Sequence, residues 1–180
     1  MSGREKGPSL FGFFARALGH KYFPGLIREA PILSMDEKRR LAVASGDDPA
    51  VFDTVEPVFE RLLGEATAGI RNGPAVLQPD WSKGERAVFT TRYLVEEFDS
   101  TGPLGLLATG LLDEALAGFR LLGLDEHADA VAKLLASGFD ADSTDDDADV
   151  LDFAEDWYNL EDADPARAAY IRSHPDEFRT

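Results

Sequence analysis

Along most of this chain apolar side chains return every three or four residues, the spacing of one helix face, and no stretch alternates as a half-buried strand does. The pattern predicts an all-α fold, a compact multi-helix single domain. Ser34-Met35-Asp36-Glu37 reads as a capping box ahead of KRRLAVA, in which Ser and Glu side chains reciprocally satisfy first-turn backbone N–H groups. Asp48-Pro49 reads as an N-cap with Pro at the first helical position. Gly46, Gly69 and Gly73-Pro74 punctuate these elements, and Pro57 is expected to kink or restart the second helix.

Asp80 is expected to cap a longer helix with Trp81, Gly84, Val88, Thr91, Val95 and Phe98 on one face, and with Lys83, Arg92 and Glu96 pointing away. That helix should stop at Asp99-Ser-Thr-Gly102. The following LGLLATGLLDEALAGFRLLG is apolar on nearly all sides and reads as the central buried helix, ended by Gly123. Asp125 is expected to cap the next helix, closed by Gly138, and Asp164-Pro165 to open a last one that Pro175 terminates. Near the N-terminus Phe11, Phe14, Ala15 and Leu18 fall at helical spacing. The expected organisation is a partly flexible helical extension over 1–30 and an acidic helical domain over 31–180.

Composition narrows the function classes. A chain of 180 residues, 44% of them apolar, can remove roughly 70% of its extended-chain surface from water and needs no staple. It has no Cys, which excludes disulfides, thiolate zinc sites and a Cys nucleophile. The longest apolar run near the N-terminus, LFGFF, is too short for a secretory core, and no segment approaches the ~20 apolar residues of a spanning helix. The reading is a cytoplasmic protein with no membrane partner.

Charge changes the picture more. The net charge is −16, and it is confined to one half. Residues 1–90 carry 12 basic and 12 acidic side chains, whereas 91–180 carry 6 basic and 22 acidic. Between Asp125 and Asp164 there are 15 acids and one base, Lys133. Such a field repels nucleic acid and membrane surfaces and attracts basic proteins or cations.

Within that segment, DADSTDDDADVLDFAEDWYNLED is not a solvated tail, because its Trp, Tyr, Phe and Leu supply burial that disordered acidic segments lack. Placed on a helix capped by Thr144, residues Val150, Leu151, Ala154, Trp157 and Tyr158 fall within about 120° of one another and are expected to face the core. Asp145, Asp149, Asp152 and Asp156 then form a row with steps of four, three and four residues, roughly 4.5 to 6 Å of axis. Asp146 adjoins the row, and Asp125 and Asp129 make a second pair one turn apart. These seven aspartates are the expected partner-binding residues. Their spacing is of the order of the phosphate spacing along one DNA strand, about 3.4 Å, and their mutual repulsion costs stability. The competing reading is a solvated helix face that serves solubility.

Neither register of the Asp run fits a calcium loop, since Gly at position 6 and Glu at position 12 are missing. Glycine phosphate loops, His-Glu-x-x-His, Gly-x-Ser-x-Gly and Ser-x-x-Lys are absent. His127 is expected on the surface, His174 in a structural role, and Glu96-Glu97 and Asp113-Glu114 at ordinary surface positions. The expectation is a protein that is not an enzyme, with no catalytic residue, metal or cofactor.

The second half also resembles the bacterial DNA-mimic protein family, over about residues 80–178. The resemblance lies in VEEFDSTGPLGLLATGLLDEALAGFRLLGLDEHADAVAKLLASGFD, in the acidic helix ending DWYNLED, and in the closing Tyr170, Ile171, His174, Pro175 and Phe178. Leu122 to Leu124 stand for the family's second turn. The chain departs at the first turn, where Ser100-Thr101-Gly102-Pro103-Leu104 replaces a glycine pair and an aromatic, and Leu106 and Leu107 replace the aromatics that follow. The resemblance implies an all-helical, often homodimeric protein whose acidic surface occupies the DNA site of a basic DNA-binding protein such as a transcription factor, without binding nucleic acid itself. The alternative is a helical interaction or immunity-type module that binds through apolar surface.

Overall fold

The computed structural model describes residues 33–68, 75–138 and 148–178. Among them are seven α-helices, one 3₁₀ turn and no strand, as the periodicity predicts. The helices are α1 (Met35–Ser45), α2 (Pro49–Thr67), α3 (Lys83–Ala108), α4 (Leu112–Leu121), α5 (Asp125–Ala136), α6 (Ala148–Tyr158) and α7 (Asp164–Ser173), with the 3₁₀ turn at Pro175–Glu177. The expected extension over 1–30, the breaks at Gly69 and Gly73-Pro74, the Thr144 cap, and Asp145 and Asp146 lie outside the described residues.

Local chemistry sets the starts and stops. In α1 the capping box forms, with Glu37 Oε2 accepting from the Ser34 N–H at 2.9 Å, and Gly46 closes the helix with φ 98°. Asp48 accepts from the Ala50 N–H at 2.8 Å and Pro49 opens α2. Pro57 does not restart the helix: α2 runs on through it as one element. Val55, Glu56, Phe59, Leu62 and Ala66 are buried along its length, and that packing outweighs the backbone bond the proline removes.

Ser82, not Asp80, caps α3. The Ser82 hydroxyl oxygen accepts from the Glu85 N–H at 3.0 Å, Glu85 Oε2 accepts from the Ser82 N–H at 2.9 Å, and the Ser82 hydroxyl donates to the Glu177 carbonyl at 2.7 Å. In this second capping box Ser82 is half-buried and Glu85 buried, and Ser82 ties it to the 3₁₀ turn at Pro175–Glu177. The expected break after Asp99 is present, with Gly102 at φ 74° and ψ −173° inside α3.

The apolar stretch beyond Pro103 is not one helix. It divides at Gly110, φ 66°, where the Thr109 hydroxyl donates to the Leu106 carbonyl and accepts from the Leu111 N–H, replacing ladder bonds lost at the turn. The central element is instead the first arm of α3, which packs against α2, α4, α6 and α7 and buries Ala87, Val88, Phe89, Thr90, Thr91, Leu94 and Phe98. Gly118 lets α4 approach it closely, since a Cβ there would meet the Ala87 Cα at 3.1 Å and the Thr91 methyl at 3.0 Å.

Three apolar clusters surround this arm. Trp81, Phe59 and Phe89 hold α2 against α3, and Val88, Tyr170 and Phe178 seat the C-terminal segment. The largest cluster joins Leu94, Phe98 and Leu106 of α3 to α4, α5 and α6. No described helix is long and apolar enough to cross a membrane.

Candidate partner-binding face

Helices α5 and α6 pack side by side on this largest cluster. His127, Ala128, Ala130, Val131 and Leu134 bury the inner face of α5, which leaves Asp125, Glu126 and Asp129 exposed on its first turns. Asp125 is the first helical residue and makes no side-chain cap; Leu124 occupies the cap position. Carboxylates there still favour the helix by facing the positive end of its dipole.

On α6 the buried side chains are Val150, Phe153 and Trp157. Phe98 lies against both Phe153 and Trp157, with centroids 6.1 and 5.1 Å away. The helix is therefore rotated from its expected setting: Leu151 and Tyr158 are exposed, and Phe153 takes their place inside. Asp152, Glu155 and Asp156 remain on the outer side, as expected.

His127 corrects the sequence reading. Only 5% exposed, its ring stacks on Phe119 at 5.1 Å and meets Trp157 edge-on at 6.1 Å. Burial, and secondarily the Arg167 cation, push its pKa down to about 4 against an opposing hydrogen bond to the Glu161 backbone. At neutral pH the imidazole is uncharged, so it cancels none of the carboxylates beside it. The signal was in the register, since His127, Val131 and Leu134 occupy one helical stripe.

The described cations are mostly engaged elsewhere. Lys38 pairs with Glu56 and Glu60, Arg39 with Asp53, and Arg61 with Glu65 and Glu85. Arg86 and Arg172 donate to backbone carbonyls. Arg92, expected to point outward with Glu96, is instead drawn into a half-buried network with Glu56, Glu96 and Asp164. Burial raises the pKa of Glu96 there, with Arg92 opposing. Asp164 ends the acidic run in sequence but turns inward, bound by Arg92 and Arg167. Burial would raise its pKa, yet Arg92 and then Arg167 hold the carboxyl below the usual range.

On the acidic face itself, Lys133 reaches Asp156 at 3.5 Å. Both partners are exposed, and such a pair is worth little. Of the expected partner-binding residues, Asp125, Asp129, Asp152 and Asp156 are thus exposed on two adjoining helices, and Asp149 lies in the first turn of α6. Exposed Glu126 and Glu155 extend the face beyond the seven aspartates expected to bind a partner. Among the described residues no three His, Asp or Glu side chains converge as a metal site.

The closing segment fits one end of α3. Tyr170 and Phe178 are buried against Gly84, whose N–H donates to Glu177 Oε2 at 2.9 Å, and His174 stacks on Tyr170 at 4.2 Å. No curated protein and no solved structure matches the chain. A family model described as DMP19-like protein matches residues 79–174, just over half of the chain, from the turn before α3 to the end of α7.

Proposed function

Starting from a chain that belongs to the DMP19-like protein family, we propose that this protein binds a basic DNA-binding protein, such as a transcription factor, by presenting carboxylates in place of DNA phosphates. The binding face comprises Asp125 and Asp129 on α5 and Asp149, Asp152 and Asp156 on α6, continued by Asp145 and Asp146. The protein performs no chemistry in this role and binds no nucleic acid itself. It acts in the cytoplasm, alone or as a homodimer.

One observation carries the reading. Two packed helices expose Asp125, Glu126, Asp129, Asp152, Glu155 and Asp156, while the histidine among them is neutral and buried and Lys133 is the sole base of residues 125–164. Uncompensated charge of one sign is unfavourable for the folded state, and a cationic partner would relieve it. A face made for solubility alone would gain as much from acids spread over the molecule, whereas residues 1–90 are balanced.

Affinity capture from the source cell on the immobilised full chain, eluted by rising salt, tests the proposal. Enrichment of basic DNA-binding proteins that elute as the salt rises is the expected result, because screening weakens exposed charge pairs. Retention of non-basic proteins indifferent to salt would favour an interaction module that uses apolar surface.

A further inference from the structure

Leu151 and Tyr158 are 55% and 64% exposed on a helix whose other outward side chains are acidic. Residues 151, 154 and 158 follow at steps of three and four, so they form one stripe with half-buried Ala154 between. Tyr158 meets the Phe98 ring at 5.1 Å and 69°, which places this stripe on the α3 side of α6. Asp156 reaches Lys133, which places the carboxylate edge on the α5 side. Across the outer surface of α6 the order is therefore an apolar ridge, then Glu155, then Asp152 and Asp156.

We propose that this face recognises a basic amphipathic helix, whose apolar stripe seats on Leu151 and Tyr158 while its Lys and Arg reach Glu155, Asp152 and Asp156. The inference rests on the reading of α5 and α6 as the partner face and adds what the partner must present. Imitation of a phosphate track needs carboxylates alone. A helix that reads the major groove also carries side chains for base edges and thymine methyl groups, and the ridge gives those side chains an apolar surface beside the acids. Charge selects this occupant over a second copy of the chain. Two such faces laid together would bring Asp152, Glu155 and Asp156 of both copies into apposition, with Lys133 the sole base of the segment to compensate.

Fluorescence anisotropy of the full chain against two labelled peptides of identical Lys, Leu and Ala content tests this, one with its Leu gathered on one helix face and one scrambled. The amphipathic peptide should bind about tenfold tighter or better, the scale of a single interface hot spot, and should keep binding at salt that releases the scrambled one. Leu151→Ser and Tyr158→Ser should each lower its affinity toward that of the scrambled peptide, leaving the latter unchanged. Leu151→Ser, at a site more than half exposed, should also leave the melting temperature unchanged.

Equal affinity for the two peptides, or no effect of Leu151→Ser, overturns the inference. The acidic reading would then survive if Asp152→Asn with Glu155→Gln and Asp156→Asn still abolished binding of both. If neither peptide binds the unaltered protein at low salt, that reading falls as well. A dimer in sedimentation that Leu151→Ser dissociates would make a second copy the occupant. Carbodiimide cross-links from Lys6 or Lys21 to Glu155 or Asp156 within one chain would make it residues 1–30. Either result overturns the proposal.

Discussion

The imidazole of His127 lies against the ring of Phe119, centroids 5.1 Å apart and planes 26° apart, on the inner side of the helix that carries Asp125 and Asp129 outside. The inner side of α5 thus carries a histidine whose protonation is coupled to folding.

The folded-state pKa of His127 is about 4 against an ordinary 6.5. The unfolded chain therefore takes up a proton between those values and the folded chain does not. The stabilisation is fully present above about pH 6.5 and is lost as pH falls toward 4. At about 1.4 kcal/mol per unit the effect is on the order of 3 kcal/mol. Urea unfolding at pH 7 and pH 5 should show stability falling with acid, and His127→Phe should flatten that slope.

Asp164 sits between Arg92 and Arg167, and Arg167 is 1% exposed with its Nε donating to the Thr91 hydroxyl at 3.0 Å. Asp164→Asn would leave two cations without their shared anion. Removing one member of a fully buried pair costs about 3 to 5 kcal/mol; with Asp164 and Arg92 half-buried, denaturant titration should find a smaller loss. Arg167→Lys in the otherwise unaltered chain should also destabilise, because an ammonium does not reproduce the fork with which the guanidinium bonds both Asp164 and Thr91.

Two glycines should respond oppositely to alanine. At Gly118 the new Cβ meets the backbone of Ala87 at 3.1 Å, together with Thr90 and Thr91, so α4 must move from α3 at a cost of about 1 to 3 kcal/mol. At Gly64, inside α2, the Cβ meets nothing within 4 Å, and the substitution should stabilise by about 0.5 to 1 kcal/mol through helix propensity. Thermal melts of the two variants should shift in opposite directions.

Much of the fold was legible because helix ends are written locally. Ser34, Asp48 and the glycines at 46, 102, 123 and 138 mark ends that the structure repeats. The misses came where tertiary contacts decide. Asp80 and Ser82 both suit a cap, but Ser82 has Glu85 three residues on and the Glu177 carbonyl within reach. Residues 104–123 are apolar on nearly all sides, so periodicity could not show the break that Gly110 and Thr109 make.

The acidic face was legible as a segment and less so as a geometry. A helical wheel admits two settings of α6 that both bury Trp157, one with Leu151 and Tyr158 inside and one with Phe153. The Phe98 ring, distant in sequence, selects the second. His127 sat between acids and suggested solvent, although its register with Val131 and Leu134 pointed inward. Arg92 and Glu96 looked outward because their partners, Glu56 and Asp164, lie on other helices.

The central claim is that carboxylates of α5 and α6 are the binding determinants, and one comparison tests it most directly. Partner capture and thermal stability are measured for the unaltered protein and for a variant combining Asp125→Asn, Asp129→Asn, Asp152→Asn and Asp156→Asn. The account predicts that the variant loses the basic partner while its melting temperature is unchanged or higher, since four exposed like charges are removed. A variant that captures the same partner at the same salt would contradict it.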